Sequence, residues 1–316
     1  MNIQSISIVA PTKGCINNCG YCVSKMHSNN YSPRFNKIQI EKRLKFAANN
    51  GVNTAILTGT GEFLQNIKFA EELASIFEEM NHPFPNVELQ TTGVLLLKKT
   101  LEENGDYVEV KNPSNKFLYE NICLLKKLRV NTISLSISDI FNDENNASII
   151  GIHQKLRFKL SDLITTLKQH DFNIRLSVNM IDIYDGISPK DIINACKNIG
   201  GNQITFRKLY QSYDNSKQSK WVKTNACKEK TLTNIEEYIA GIWYHNNTGK
   251  EWRENAHGKP LYKLPFGAMA YSINGMSTVI DNNCMNKEEN EKLKYVILRE
   301  NGKLYSQWDD EGSLIF

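Results

Sequence analysis

Cys15, Cys19 and Cys22 lie close together near the start of the chain, separated by three and then two residues. Thiolates this close, on a loop loosened by Gly14 and Gly20, can converge on an iron–sulfur cluster from one side at little ordering cost. A cubane 4Fe–4S cluster normally takes four cysteines. Three would leave one iron with an open position, as catalytic rather than structural metal sites do. The competing chemistry is zinc, whose sites draw on four Cys or His ligands, often in paired Cys-x-x-Cys units. No second pair follows, although His27 is near in sequence.

A second chemical group is Thr58-Gly59-Thr60-Gly61-Glu62. The glycines let the backbone turn sharply and approach a ligand, and Glu62 can accept hydrogen bonds from an ammonium group. The plainer reading is a tight turn ending in a helix-capping carboxylate.

Both groups close a strand in a repeating pattern. From Ser5 to about Tyr210 a β-rich apolar run, a loop and a segment of helical periodicity recur, which predicts a parallel sheet with helical crossovers. The predicted strands are Ser5–Thr12, Thr54–Thr58, Asn86–Thr91, Thr132–Ser138, Asn173–Met180 and Gln203–Leu209. The predicted crossovers include Ile38–Asn49, Ile67–Met80, Lys116–Leu128, Leu160–His170 and Pro189–Ile199. The expected fold is α/β, a partial (β/α)6 barrel with a C-terminal α+β extension. It divides into a core over 1–211 and a cap that helps define the substrate over 212–316. Two long polar connections, Lys98–Ser114 and Ile140–Lys159, are candidates for hairpins, lids or disorder.

On Cys15, Cys19 and Cys22, with the aromatic Tyr21 just before the last cysteine, the sequence resembles the radical S-adenosylmethionine (SAM) family. The resemblance covers the region from Ser5 to Tyr210 and identifies no subfamily. It implies one 4Fe–4S cluster, with the SAM amino and carboxylate groups on its open iron. One electron would cleave SAM to methionine and a 5′-deoxyadenosyl radical, which abstracts hydrogen from the substrate. Gly59, Thr60, Gly61 and Glu62 resemble the family's Gly-Gly-Glu-like element for the SAM amino group. Thr60 stands where many members have glycine, and Phe63 where proline is common. The family also places polar side chains at later strand ends, which makes Ser136, Ser138, Asn179 and Arg207 candidates for SAM ribose, carboxylate and adenine. Each has a rival packing or solvent-facing role. Gln90 and Thr92 are similarly placed.

Of the other cysteines, Cys123 and Cys196 fall in helical patterns and read as buried thiols. Cys227 and Cys284 cannot build a multi-cysteine auxiliary cluster. Cys284 is the candidate catalytic thiol, as hydrogen donor or covalent participant, with a surface thiol as its rival. Lys217, Lys220, Lys223, Lys228 and Lys230, with Trp221, read as a solvated loop; an RNA- or nucleotide-binding strip is the alternative. Asn234–His245 reads as helical, and Tyr295–Leu298 with Lys303–Trp308 as a terminal hairpin. Tyr262, Phe266, Tyr271 and Trp308 could line a pocket or merely pack.

The 316 residues carry a formal charge of only +4, too little to declare a nucleic-acid partner. Met1–Ala10 has no secretory pattern, and no apolar run spans a bilayer, so the expectation is a cytoplasmic protein with no membrane partner. With the motif so early, the expectation is that no peptide-recognition or cobalamin domain precedes it. The implied partners are an electron donor such as flavodoxin or ferredoxin and a substrate that is a nucleotide or RNA base, a peptide or a small metabolite. The contrasting class is a non-catalytic, metal-binding regulatory protein on the same fold.

Overall fold

Side chains alternate along every central strand, and that alternation decides what the sheet encloses. The computed structural model describes residues 3–26, 34–96, 99–101, 107–109, 116–212, 215–245, 251–264, 268–281, 293–308 and 310–316. The chain runs through β1 (Ile3–Ala10), a short helix α1 (Val23–Met26), α2 (Lys37–Asn49), β2 (Thr54–Gly59), α3 (Ile67–Glu79) and β3 (Asn86–Thr91). A small antiparallel ribbon, β4 (Lys99–Leu101) with β5 (Tyr107–Glu109), precedes α4 (Lys116–Lys127) and β6 (Thr132–Ile137). Then come α5 (Asp143–Ile150), α6 (Leu160–Gln169), β7 (Asn173–Met180), α7 (Pro189–Asn198) and β8 (Gln203–Lys208). The six predicted strands and five crossover helices are all present, and the strands lie side by side in the order β1-β2-β3-β6-β7-β8, every pair parallel.

Outward-facing residues are apolar. Ile6 and Ile8, Leu57, Leu89, Ile133 and Leu135, Leu176 and Val178, and Phe206 are buried beneath Leu44, Leu73, Leu125, Leu167 and Ile193 of the helices, in one core. Inward-facing residues are mostly polar, with Val9, Ile56 and Val279 among them. One continuous register row reads Gln90–Ser134–Arg175–Gln203, and the next includes Ser136–Ser177–Thr205. Barrel interiors are usually filled by branched apolar side chains; this one holds a cavity of about 500 Å³. Within it Arg175 is paired with Glu88, and its Nε donates to Gln203 Oε1 at 2.8 Å.

The segment after β8 continues as α8 (Lys217–Asn225), α9 (Glu229–Ala240), a ribbon of β9 (Ile242–His245) with β10 (Glu251–Glu254), then β11 (Lys259–Lys263), β12 (Met269–Ile273), β13 (Met276–Asp281), β14 (Leu293–Leu298) and β15 (Leu304–Tyr305). Its strands lie in the same sheet as the core: β13 pairs parallel with β8, and β14 pairs parallel with β1. The described sheet is therefore β11-β12-β13-β8-β7-β6-β3-β2-β1-β14-β15, with eight consecutive parallel strands and two edges that do not pair with each other. Ser277 and Asp281 of β13 and Tyr295 of β14 face the same cavity as the core residues.

Three sequence readings are corrected here. The lysine-rich run after Ser212 is helical over most of its length, and Asn234–His245 is helix only to Ala240, where Gly241 at φ 80° ends it. The connection Ile140–Lys159 contains α5, capped by Asn142 and terminated by the left-handed Gly151. The terminal hairpin is as expected, β14 pairing antiparallel with β15. No described helix is long and apolar enough to cross a membrane.

Just beyond β14, Glu300 is buried. Desolvation pushes its carboxyl above the usual carboxylate range, against a backbone hydrogen bond and Arg299, which pull it down. A raised folded-state value means full stability below the ordinary carboxylate range and loss of stability as pH rises through the raised value. Glu300→Gln is therefore expected to raise the thermal midpoint relative to the parent at pH 8 and to lose that advantage near pH 4, measured by circular-dichroism melts across the range.

Candidate active site

The three-cysteine loop leaves the C-terminal end of β1. Gly14 takes φ 103°, a conformation that L side chains rarely adopt. All three thiols are free. Asn17 N donates to Cys15 Sγ at 3.4 Å, and Lys25 N donates to Cys22 O at 3.1 Å, starting α1 directly after the last cysteine. Burial pushes the Cys15 thiol up, and it pushes that of Cys19 far above its ordinary value. Each of these two is raised further by Cys22, so the thiols feel one another.

Two neighbours seat the loop. Behind β2, Gln65 Oε1 accepts from Ile16 N at 3.1 Å and from Glu62 N at 2.9 Å, while Asn66 Nδ2 donates to Pro11 O at 2.8 Å. On the other side, Asn18 N donates to Ile150 O of α5 at 3.1 Å, and a Cβ on Gly151 would come within 2.9 Å of Asn18. The inserted helix after β6 is thus part of the site.

Gly61 passes so close to the loop that a Cβ there would meet Gly14 O at 2.5 Å and Thr12 Oγ1 at 2.9 Å. Glu62, only 6% exposed, accepts from Asn17 Nδ2 at 3.1 Å, Thr92 N at 3.1 Å, Thr92 Oγ1 at 2.7 Å and Thr91 Oγ1. Burial pushes its carboxyl up and these bonds pull it down. One carboxylate thereby joins the cysteine loop, the end of β2 and the end of β3.

Across the barrel mouth, Tyr21, Ser136, Ser138 and Asn179 come together. Tyr21 Oη lies 2.8 Å from Ser138 Oγ, and Asn179 Nδ2 reaches Tyr21 Oη at 3.2 Å and Ser136 Oγ at 3.0 Å. Gly59, Thr60, Gln90 and Arg207 are on the cavity wall, and Arg207 stands in register with both Asn179 and Asp281.

A family model described as the Radical SAM superfamily matches residues 9–199, more than half of the chain. The chain belongs to the Radical SAM superfamily. None of the curated proteins compared with it matches. Among solved structures, SuiB of Streptococcus suis bound to S-adenosylmethionine is similar at TM-score 0.56 and 12% identity, over 96% of this chain and 60% of that one. Methylornithine synthase (PylB) is similar at TM-score 0.47 and 13% identity, over 75% and 62%, and anSMEcpe with bound AdoMet at 0.45 and 16%, over 74% and 58%. The likeness to SuiB is one of fold, and this chain spans about 60% of the SuiB length.

Members of this superfamily bind a 4Fe–4S cluster and SAM, and the residues present fit both. The donor set is three reduced thiols on one loop. Among the described residues no three Cys, His, Asp or Glu side chains converge tightly enough for a single metal ion. Cysteines that each bind a different iron of a cubane need not do so. The backbone of Gly59 and the Thr60 side of the strand end are open to the cavity, as a ligand in close approach requires.

Cys284, Phe266 and His27 lie outside the described residues. Cys196 is buried on α7 and Cys227 is half-buried after α8; burial pushes each up to about 12, which suits inert thiols. Trp221 lies on a helix, not on a solvated loop. Its indole lies against Gly20, where a Cβ would come within 2.6 Å, and its ring centroid is 5.8 Å from that of Tyr21. Sequence reading missed Asn17 and Gln65. Only Gln65 carried a signal, three residues after Glu62 in the spacing of a capping box.

Two substitutions test this construction. Glu62→Ala removes the shared acceptor of buried donors and is expected to cost the apoprotein about 3 kcal/mol in urea unfolding. Gly61→Ala is expected to lower the iron retained after anaerobic reconstitution, because the added Cβ displaces the loop at Gly14, while far-UV circular dichroism stays that of the parent.

Proposed function

We propose that the protein reductively cleaves SAM at one 4Fe–4S cluster held by Cys15, Cys19 and Cys22 and abstracts hydrogen from a substrate held in the barrel cavity. The observation carrying this reading is the joining of the cysteine loop to the ends of β2 and β3 through Glu62, beside a polar cavity. When bound, cluster and SAM supply a 5′-deoxyadenosyl radical. The chain's own residues bind and orient. The strand end at Gly59, Thr60 and Gly61 receives the SAM amino group, with Glu62 fixing that segment against Asn17, Thr91 and Thr92. Tyr21, Ser136, Ser138 and Asn179, hydrogen-bonded to one another at the ends of β6 and β7, are assigned to ribose and carboxylate, and Arg207 on the cavity wall to adenine.

The same reading assigns 1–211 to the radical SAM core and 212–316 to a substrate-determining extension. Its support is that β13 and β14 add side chains to the cavity. The substrate is a nucleotide or RNA base, a peptide or a small metabolite; polar walls bearing Glu88, Arg175 and Asp281 favour a molecule rich in hydrogen-bonding groups. Cys284 is kept as a candidate hydrogen donor. The reading includes a cytoplasmic location and an electron donor of the flavodoxin or ferredoxin kind.

Anaerobic reconstitution tests it. The expected results are a 4Fe–4S absorption spectrum, an EPR signal altered by SAM, and 5′-deoxyadenosine under dithionite, with Cys19→Ala abolishing all three. A colourless zinc protein indifferent to SAM would return the chain to the class of metal-binding regulators.

A further inference from the structure

The outer side of α8 is a cationic face that makes no ion pair among the described residues. Lys217, Lys220 and Lys223 are exposed, and α8 contains no acidic residue. Three residues apart, they are neighbours on one side of the helix, where like charges destabilise it. Lys217 is the first helical residue, where the helix dipole disfavours a cation. None of the three is in an ion pair among the described residues. A carboxylate at any of these positions would relieve the repulsion locally.

The inner side of the same helix rests on the cysteine loop. Ser219 and Val222 are buried, and Trp221 covers Gly20 and Tyr21, the two residues between Cys19 and Cys22. α8 packs on α1, which adds Lys25, exposed and hydrogen-bonded to Asn18 Oδ1 at 2.6 Å. Only one helix, about 10 Å across, separates the lysine face from the loop that bears the cysteines.

We propose that this lysine face docks a small acidic protein that carries one electron and delivers it to the cluster. The proposal rests on the reading that Cys15, Cys19 and Cys22 hold a 4Fe–4S cluster. In the step the reduced carrier loses one electron and the oxidised cluster gains it; no bond forms or breaks and no proton is required. Brief redox encounters use small interfaces, below about 1,200 Å², and depend on charge to steer approach. A compact patch suits that: six residues of helix place Lys217 and Lys223 only about 9 Å apart along the axis. A nucleic acid would be drawn by the same charge, but Trp221, the aromatic that could stack a base, is turned inward onto Gly20.

Stopped-flow reduction of the anaerobically reconstituted protein, by dithionite or by a reduced flavodoxin of net negative charge, decides the matter. The triple substitution Lys217→Glu, Lys220→Glu, Lys223→Glu is expected to slow flavodoxin-driven reduction about 10-fold or more at low salt and to remove its salt dependence. Dithionite-driven reduction, iron content and the SAM-induced EPR change stay those of the parent, and a triple Arg variant keeps the parental flavodoxin rate. Equal flavodoxin rates in parent and triple Glu protein would overturn the proposal. So would a triple Glu protein that loses affinity for a labelled RNA oligonucleotide while keeping the flavodoxin rate, which would make the face a nucleic-acid site. A parent that shows no SAM-responsive cluster under dithionite overturns the cluster reading itself, a result distinguishable from failure of docking alone.

Discussion

A carboxylate taken out of water costs several kcal/mol, and Glu62 is almost wholly out of water. It is tolerable because four donors reach it, each bond to a charged acceptor being worth about 2 kcal/mol. The donors come from three places remote in sequence: Asn17 on the cysteine loop and Thr91 and Thr92 at the end of β3, with Glu62 itself at the end of β2. None of these segments can shift without leaving a buried charge short of a partner. The strand ends are thus held in fixed relation to the cysteines, which catalytic geometry requires.

The second constraint is the alternation of the strands. Their outward residues must be apolar because helices cover them, but nothing in the packing of the sheet requires the inward residues to be polar. Serines, glutamines and charged side chains there forgo the filled interior that gives most barrels a core. The stability given up inside is supplied outside, by the continuous apolar layer between sheet and helices. The Glu88–Arg175 pair, buried at its carboxylate and partly exposed at its arginine, extends to Gln203 and keeps its charges compensated in the middle of the cavity wall.

Much of this was legible in the sequence. The spacing of the cysteines, the glycines of β2 and the recurring β/α units led to the fold and to the place of the site because they are local patterns. Ser136, Ser138 and Asn179 were also legible, as polar residues closing strands, although their meeting with Tyr21 depends on register that spacing does not carry. Asn17 gave no signal, since its partners are Glu62 and Thr92, far along the chain. The tail was the least legible part. β13 and β14 pair with β8 and β1, contacts that no local periodicity encodes, and the Asn274–Gly275 turn joining β12 to β13, both residues at positive φ, is a hairpin signal that went unread. Trp221 misled for a related reason: within a lysine-rich run it was read as part of a solvated loop or a nucleotide-binding strip, and only the absence of a side chain at Gly20 lets its indole pack inward.

That last contact binds the two parts of the chain more closely than their sequence patterns imply. Gly20 lies between the second and third cysteines, so the loop that holds the thiols is shaped on one side by α5, on another by Glu62 and Gln65, and on its outer side by a helix from the far end of the barrel. The tail is joined to the core sheet at β8 and at β1, and to the cysteine loop at Trp221. The extension that borders the cavity is then the same element that covers the loop, and cavity wall and cysteine loop share one set of packed contacts.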